Sequence, residues 1–243
     1  MKTFLFAASL AAIGFVSSNA AAQSVIVTPK KIVYKRQKPQ ADFKKTFEIT
    51  YPKVKASTPA LSRRIESSIS FEKVLKLNLQ EETGEFQWLE EAGYEIGYNK
   101  NGILSIKLFM FGTAAYPDGS SKYVVVNLKT GNRVAPSDVF THVLGLAMVL
   151  KKKQLLEIED GKKEIRKDPD MADSDPNQLF EYADFTAENL TEFAVNDSGV
   201  TFFYDYGFPH VIQALEPEGS YSMTWEEIGP YIKPGGLLAR FVR

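Results

Sequence analysis

The segment 193–231 constrains the fold most, because strand, turn, loop and helix-start signals follow one another within it. Residues 196–199 read Asn-Asp-Ser-Gly, a turn sequence whose glycine tolerates a positive φ. Residues 200–206 are mainly β-branched and aromatic, and such side chains pack well on a half-buried pleated surface. Residues 220–224 predict a third strand, and Thr224 is placed to cap a short helix after it. The segment is therefore expected to form a three-stranded unit with one long loop before its last strand.

The middle of the chain predicts a second sheet. Strands are expected at 90–99, 103–112 and 122–128, and Asn101-Gly102 is a strong hairpin signal between the first two. The strand at 103–112 carries apolar side chains on both faces, so both faces are expected to be covered. These side chains are Ile106, Leu108 and Met110 on one face, and Phe109 and Phe111 on the other. A further strand, ended by Pro52, is predicted from alternation at Phe47, Ile49 and Tyr51.

Two main helices are expected to cover these sheets. Thr58 and Pro59 favour the start of the first, whose apolar stripe is Leu61, Ile65 and Ile69. Ser137 is expected to cap the second, and the Pro- and Asp-rich segment 168–176 to end it. Its predicted buried stripe is Val139, Phe140, Val143, Leu144, Ala147 and Leu150. A short helix is predicted over 179–185.

Strands and helices come in runs and do not alternate strictly, which is typical of an α+β protein. The predicted fold is α+β, with antiparallel sheets each covered by a long helix. Two related sub-domains are expected, at 42–121 and at 122–243.

The N-terminus has the pattern of a secretory signal peptide over residues 1–22. Lys2 precedes an apolar run at 4–16, and three alanines offer a cleavage site before Gln23. The run is shorter than the roughly 20 residues that span a bilayer, so a transmembrane anchor is the less favoured alternative. Export to the periplasm or the medium, with cleavage after Ala22, is expected.

The two parts of the mature chain carry opposite charge. Residues 23–76 hold 13 Lys and Arg against 4 Asp and Glu, whereas residues 77–243 hold 15 against 26. Residues 23–41 are expected to form a basic, solvent-exposed arm in which only 25–27 pair as an edge strand. The acidic second part is expected to steer a basic partner toward it. Nucleic acid is not an expected partner, because the aromatic loop is acidic and the basic arm is poor in aromatic residues.

The chain has few residues suited to catalysis. It contains no cysteine and two histidines, His142 and His210, so thiol nucleophiles and thiolate metal sites are excluded. Sequence motifs of serine hydrolases, zinc proteases and nucleotide-binding enzymes are absent. No catalytic residue, cofactor or metal site is therefore assigned. Two alternatives stay open: a small cell-wall hydrolase that uses His210 with neighbouring carboxylates, and a calcium site in the acidic segment 168–176.

The loop that follows residue 203 combines aromatic and acidic side chains, a combination that suits recognition of sugars or of a cationic protein. The alternative is that these aromatic residues only pin the loop to its own sheet. Binding is predicted on the surface formed by this loop and by the hairpin loop near residue 116. The predicted ligand-binding residues are Tyr116, Tyr204, Tyr206, Phe208, His210, Glu216 and Glu218.

Three segments carry a family resemblance: 123–140, with a Lys-Thr-Gly turn and a Ser-Asp-Val-Phe helix start, and then 193–206 and 220–228. In this order they resemble the extracytoplasmic module of RsiV-type anti-sigma factors, which binds lysozyme, and of PdaC-type peptidoglycan deacetylases. The resemblance implies a non-enzymatic sensing or binding module of the cell envelope. Its ligand would be a lysozyme-like protein or peptidoglycan.

The resemblance is incomplete at one loop and in the accompanying segments. Relatives often carry a Gly-Gly-Ala-His sequence where this chain has Tyr116, so no role of that histidine is carried over. Sigma-factor regulation and deacetylase activity are not implied either, because the segments responsible for them have no counterpart here. What the resemblance implies is the binding module alone.

Overall fold

The computed structural model describes residues 24–41, 43–84, 87–113, 117–171 and 175–242, without the side chain of His210. Its eight strands form a five-stranded sheet in the order β1-β2-β3-β4-β5 and a three-stranded sheet in the order β6-β7-β8. The first sheet comprises β1 (Ile26–Lys35), β2 (Thr46–Lys55), β3 (Leu89–Lys100), β4 (Ile103–Thr113) and β5 (Pro117–Asn127). The second comprises β6 (Phe193–Val195), β7 (Gly199–Phe203) and β8 (Ser220–Thr224). The predicted α+β class is confirmed.

In the described part of the chain, seven α-helices connect and cover these strands. They are α1 (Pro59–Ser68), α2 (Phe71–Val74), α3 (Leu79–Thr83), α4 (Pro136–Val139), α5 (Val143–Lys167), α6 (Pro176–Leu179) and α7 (Trp225–Ile228). Short 3₁₀ turns occupy Pro169–Met171, Ala187–Thr191, His210–Leu215, Gly229–Tyr231 and Ala239–Phe241. No helix within the described part of the chain is both long and apolar enough to cross a membrane.

The five-stranded sheet is mixed and not wholly antiparallel. Glu48 and Ile49 of β2 lie parallel to Glu91 and Ala92 of β3, whereas the other neighbouring pairs are antiparallel. A parallel pair needs a long crossover connection, and the stretch that holds α1, α2 and α3 supplies it. The expectation of an antiparallel first sheet is therefore wrong at this one pair, because the strand pattern gives no information on direction.

The prediction of an unpaired N-terminal arm over 23–41 is wrong for most of that segment. Residues Ile26–Lys35 pair with β2 along ten positions and form the edge of the sheet. Its lysines remain exposed, which is one way in which proteins protect an open edge from further pairing. Pro52 lies inside β2 and does not end it, because β3 pairs with β2 only at residues 48–49, so no donor is needed on that side.

Two hydrophobic cores share the strands β4 and β5. The first core lies between the five-stranded sheet and the helices α1 and α2, and it includes Leu104, Val124 and Val126. The second lies between the same strands, the small sheet and α5, and it includes Ile103 and Val125. The start of β4 is thus covered on both faces as predicted, but Phe111 near its end is exposed. The boundary expected at 121/122 falls inside β5.

Two of the three predicted helix caps are confirmed, and the cap predicted at Ser137 is wrong. The side chains of Thr58 and Thr224 cap α1 and α7 as predicted. The long helix begins at Val143 and not at Ser137, because His142 adopts a left-handed conformation with φ of 49° that separates it from α4. Leu144 consequently points outward with 72% exposure.

Other helical expectations need correction as well. The short helix lies at Pro176–Leu179 instead of 179–185. A long helix covers only the small sheet, whereas the ten-residue α1 and the four-residue α2 cover the larger one. The acidic segment after α5 includes residues 172–174, which lie outside the described part, so the calcium alternative is untested there. Among the described residues no three His, Asp or Glu are grouped to hold a metal ion.

Candidate functional site

A cleft of about 280 Å³ lies between the first half of β5 and the loop that follows β7. We call it the acidic cleft. Its lining residues are Gly119, Ser120, Ser121, Lys122, Tyr123, Glu192, Phe203, Tyr204, Asp205, Gln213, Glu216, Pro217 and Glu218. It therefore joins the loop 204–218, which was predicted to bind, to the part of β5 that follows the predicted loop near residue 116.

The floor of the cleft is held by one ion pair and one aromatic stack. Lys122 Nζ lies 2.6 Å from Glu192 Oε2, and the other oxygen of Glu192 accepts the backbone N–H of Tyr123 at 3.3 Å. The ring of Tyr123 stacks on Phe203 with centroids 3.7 Å apart. A second cavity of about 310 Å³ lies on the other side of the same ion pair, toward Arg133. The floor is thus rigid and its charges are balanced.

The rim of the cleft is acidic. Asp205 and Glu218 are exposed, and Glu216 is half-buried. No Lys or Arg of the described residues forms an ion pair with any of the three, in contrast to Glu192 below them. An uncompensated cluster of this kind attracts cations and disfavours anions.

The environment of Glu216 alters its titration. It accepts the backbone N–H of Gly207 at 2.9 Å, and the backbone between Tyr206 and Phe208 bends around it. Burial, and then the negative charge of Asp205, raise the pKa of Glu216 above its ordinary value of 4.5. Glu216 therefore takes up a proton at a higher pH than an exposed glutamate, and the rim loses charge earlier as the solution is acidified.

Of the predicted ligand-binding residues, Tyr204, Glu216 and Glu218 line the acidic cleft. The hydroxyl oxygen of Tyr204 accepts the backbone N–H of Asp184 at 3.0 Å, so its ring is fixed beside the opening. Tyr116 and the side chain of His210 lie outside the described residues. The structure therefore brings three of the seven predicted residues to one surface.

Two predicted residues serve packing instead. Phe208 is only 7% exposed and belongs to a small third core with Ile158, Ile165 and Phe180. Tyr206 packs edge-on against Phe180, with ring centroids 5.5 Å apart. For these two side chains the geometry matches the alternative in which aromatic packing pins the loop to the protein. The predicted role of both residues in ligand binding is not tested by their burial and stays a prediction.

A carboxylate that the sequence did not single out fixes this loop. The hydroxyls of Tyr206 and Tyr221 donate to the same oxygen of Glu157 at 2.9 and 2.6 Å, and the N–H of Gly219 donates to the other at 3.1 Å. Burial is the main cause that raises the pKa of both tyrosines, so both stay protonated and act as donors. Glu157 thereby ties both ends of the loop to α5 and shapes the cleft without lining it.

The remaining cleft residues could not be predicted from local sequence patterns. Tyr123 and Phe203 were assigned to strands by their β propensity, and nothing in that pattern places one ring on the other. Lys122 and Glu192 are 70 positions apart, and Glu157 and Tyr221 are 64 apart. Only the packing of the small sheet against β5 and α5 brings these partners together.

Comparison with known proteins identifies the fold and leaves the family open. No family model matches the chain, and no curated protein matches it either. A member of the DUF3298 family from Bacteroides fragilis NCTC 9343 has a similar structure, with 13% identity and a TM-score of 0.53, over 89% of this chain and 98% of that one. A DUF3298 family protein from Pseudomonas aeruginosa PAO1 has 11% identity and a TM-score of 0.49, over 87% and 95%. At such identities the likeness to the Bacteroides protein shows a shared fold, and it carries over neither ligand nor activity.

Proposed function

We propose that the chain is an exported, non-enzymatic binding module of the cell envelope, and that it captures a basic, lysozyme-like protein at the acidic cleft. The observation that carries this proposal is the rim of Asp205, Glu216 and Glu218, which has no cationic partner among the described residues. Three carboxylates without counterions repel one another, which raises the electrostatic free energy of the folded chain. Their placement around one opening therefore favours a cationic ligand.

The arrangement of charge suits a protein partner. Residues 77–243, which form most of the cleft, carry the excess of Asp and Glu, so the field of the whole domain adds to that of the rim. Exposed charges of this kind mainly raise the association rate of a complex. An aromatic side chain that is fixed in position and becomes buried in the interface mainly lowers the dissociation rate. Tyr204, fixed by its hydrogen bond at the edge of the opening, is the aromatic residue placed for the second role.

Binding to hen egg-white lysozyme should depend on salt through the rim. In the variant Glu216→Gln with Glu218→Gln, we expect the association rate to fall, with an affinity loss of about 1 kcal/mol or less per charge. Raising the ionic strength from about 0.05 to about 0.5 M should weaken the wild-type complex and affect the variant much less. Surface binding kinetics measure both effects.

A matched control removes two exposed acids elsewhere, Glu164→Gln with Glu181→Gln, and should leave the association rate nearly unchanged. Equal losses in the two double variants would mean that net charge and not the rim drives association. Capture of peptidoglycan but not of lysozyme by the wild type would overturn the proposed ligand. Loss of cell-wall hydrolysis in His210→Ala would overturn the non-enzymatic role and favour the hydrolase.

Export is part of the proposal and has its own test. The apolar run at 4–16 and the alanines at 20–22 support removal of the first 22 residues by a signal peptidase. Mass spectrometry of the protein recovered from cells should give an N-terminus at Gln23. A chain that begins at Met1 in the membrane fraction would instead identify the apolar run as an anchor.

A further inference from the structure

The outer face of α5 carries the densest group of exposed apolar side chains among the described residues. Leu144 is 72% exposed, Met148 65%, Leu155 49% and Leu156 70%. The opposite face of the same helix is buried in the second and third cores through Leu146, Leu150, Ile158 and Ile165. Neither core needs the outer residues, so packing within one chain does not explain them.

These side chains form a stripe along the helix. At 3.6 residues per turn, Leu144, Met148 and Leu155 point within about 40° of one another, and Leu156 flanks them on the side of Lys152. A helix stripe of this kind is the form that pairs with another helix. We call it the α5 stripe, comprising Leu144, Met148, Lys152, Leu155, Leu156 and Glu159.

The α5 stripe carries one positive and one negative side chain, Lys152 and Glu159, which can pair with the same two residues of a second copy. Lys152 and Glu159 are exposed and lie on either side of Leu155 and Leu156 at equal sequence distance. When a second α5 is laid antiparallel with its two-fold axis between Leu155 and Leu156, Lys152 of each copy falls opposite Glu159 of the other. Lys152 forms no ion pair within the described part of its own chain, and Glu159 pairs with Lys162 at 3.0 Å and lies near Lys163.

We propose that the chain forms a symmetric dimer in which the two α5 stripes pack antiparallel. A two-fold interface requires one self-complementary patch, and the centre of the stripe satisfies that requirement, because Leu155 and Leu156 are flanked at equal distances by Lys152 and Glu159. Leu144 and Met148 lie outside this centre and fall opposite Lys167 and Lys163 of the other copy. The acidic cleft is built on β5 and the loop 204–218 and not on the α5 stripe, so a dimer would present two copies of the cleft. Two weak sites held together engage a repeated or crowded ligand more strongly than one.

Charge-swap variants of the exported chain test the pairing directly. Sedimentation equilibrium should give twice the chain mass for the wild type and a dissociation constant raised by at least about tenfold for Lys152→Glu or for Glu159→Lys, since like charges then face each other. The double variant should regain the wild-type constant. An equimolar mixture of the two single variants should form mixed dimers, because each new charge then meets its opposite.

The controls separate this geometry from general effects of charge. Lys129→Glu makes the same charge change on an exposed turn away from α5 and should leave the dimer intact. Leu155→Lys should yield monomers with an unchanged circular dichroism spectrum, because the side chain is outside the cores. A monomeric wild type at about 100 µM would overturn the proposal. Failure of the double variant and of the mixture to restore association would also overturn the proposal. Binding of the stripe to anionic lipid vesicles, without such restored association, would overturn it in the same way.

Discussion

Replacing Arg36 with alanine should lower the free energy of unfolding by about 3–5 kcal/mol, as measured by urea denaturation. Arg36 is 1% exposed, and its guanidinium donates to the carbonyls of Lys44 at 2.8 Å and of Leu89 at 2.6 Å. Glu82 lies 3.9 Å away as the buried counterion. Alanine would leave the buried carbonyl of Leu89 and the partly buried carbonyl of Lys44 without their donor. It would also leave the buried Glu82 with the N–H of Leu89 as a donor but without its counterion, and each of these losses carries a desolvation cost.

The position of Arg36 explains why one side chain has so large an effect. It ends the edge strand β1 and reaches across to the start of β3, with its guanidinium 5.1 Å from the centroid of Phe47. Burial lowers the pKa of Arg36, whereas the carboxylates of Glu82 and Glu90 raise it, and the group stays charged. The neighbouring change Lys35→Ala is the control and should stay within about 0.5 kcal/mol, because Lys35 is exposed. Similar losses for both variants would show that Arg36 acts only through net charge.

Replacing Gly219 with alanine should cost about 3 kcal/mol or more. Gly219 has a φ of +59°, and an added Cβ would lie 1.9 Å from the carbonyl oxygen of Tyr204. That carbonyl cannot move away freely, because the N–H of Tyr204 donates to the carbonyl of Gly219 at 2.8 Å. The substitution thus adds a backbone clash to the usual cost of a left-handed residue with a side chain, which is about 1–2 kcal/mol.

Gly207, at the other end of the same loop, provides the matched control for Gly219. It has a φ of +67°, and an added Cβ would meet nothing within 4 Å. Gly207→Ala should therefore cost only the conformational part, about 1–2 kcal/mol. The difference between the two variants in urea denaturation measures the clash. Equal costs would mean that the loop relaxes away from β8 without penalty.

Much of the local structure follows from sequence signals that act within a few residues. The hairpin at Asn101-Gly102 forms as predicted, with φ values of 55° and 74°, because Asn and Gly tolerate the positive φ that a tight turn needs. The caps at Thr58 and Thr224 follow from the same kind of short-range chemistry. In contrast, the left-handed conformation at His142 is adopted by a residue other than glycine, and no sequence signal predicts it. The start of α5 was therefore predicted at Ser137 and not at Val143.

The parts that the sequence did not predict depend on distant partners. Segment 26–35 contains three lysines and one proline and did not suggest a strand, and it becomes one because β2 offers an open edge. Phe208 gives the same aromatic signal as Tyr204, yet one ring is buried against Phe180 and the other borders the cleft. The contact of Phe208 with Phe180 and the hydrogen bond of Tyr204 with Asp184 involve partners outside the loop, so the loop sequence alone does not show which ring is buried.

Because β4 and β5 contribute to two cores, the chain cannot easily be divided into an N-terminal and a C-terminal part that fold separately. Tyr98 and Ile103 belong to the second core although they lie in the first sheet, and the hydroxyl oxygen of Ser105 accepts the buried N–H of Val195 at 3.0 Å. A fragment that began at 122 would lose these contacts and expose the underside of its small sheet. Gene shuffling can therefore exchange the loops around the cleft, but a cut on either side of the β4–β5 hairpin would remove part of one core.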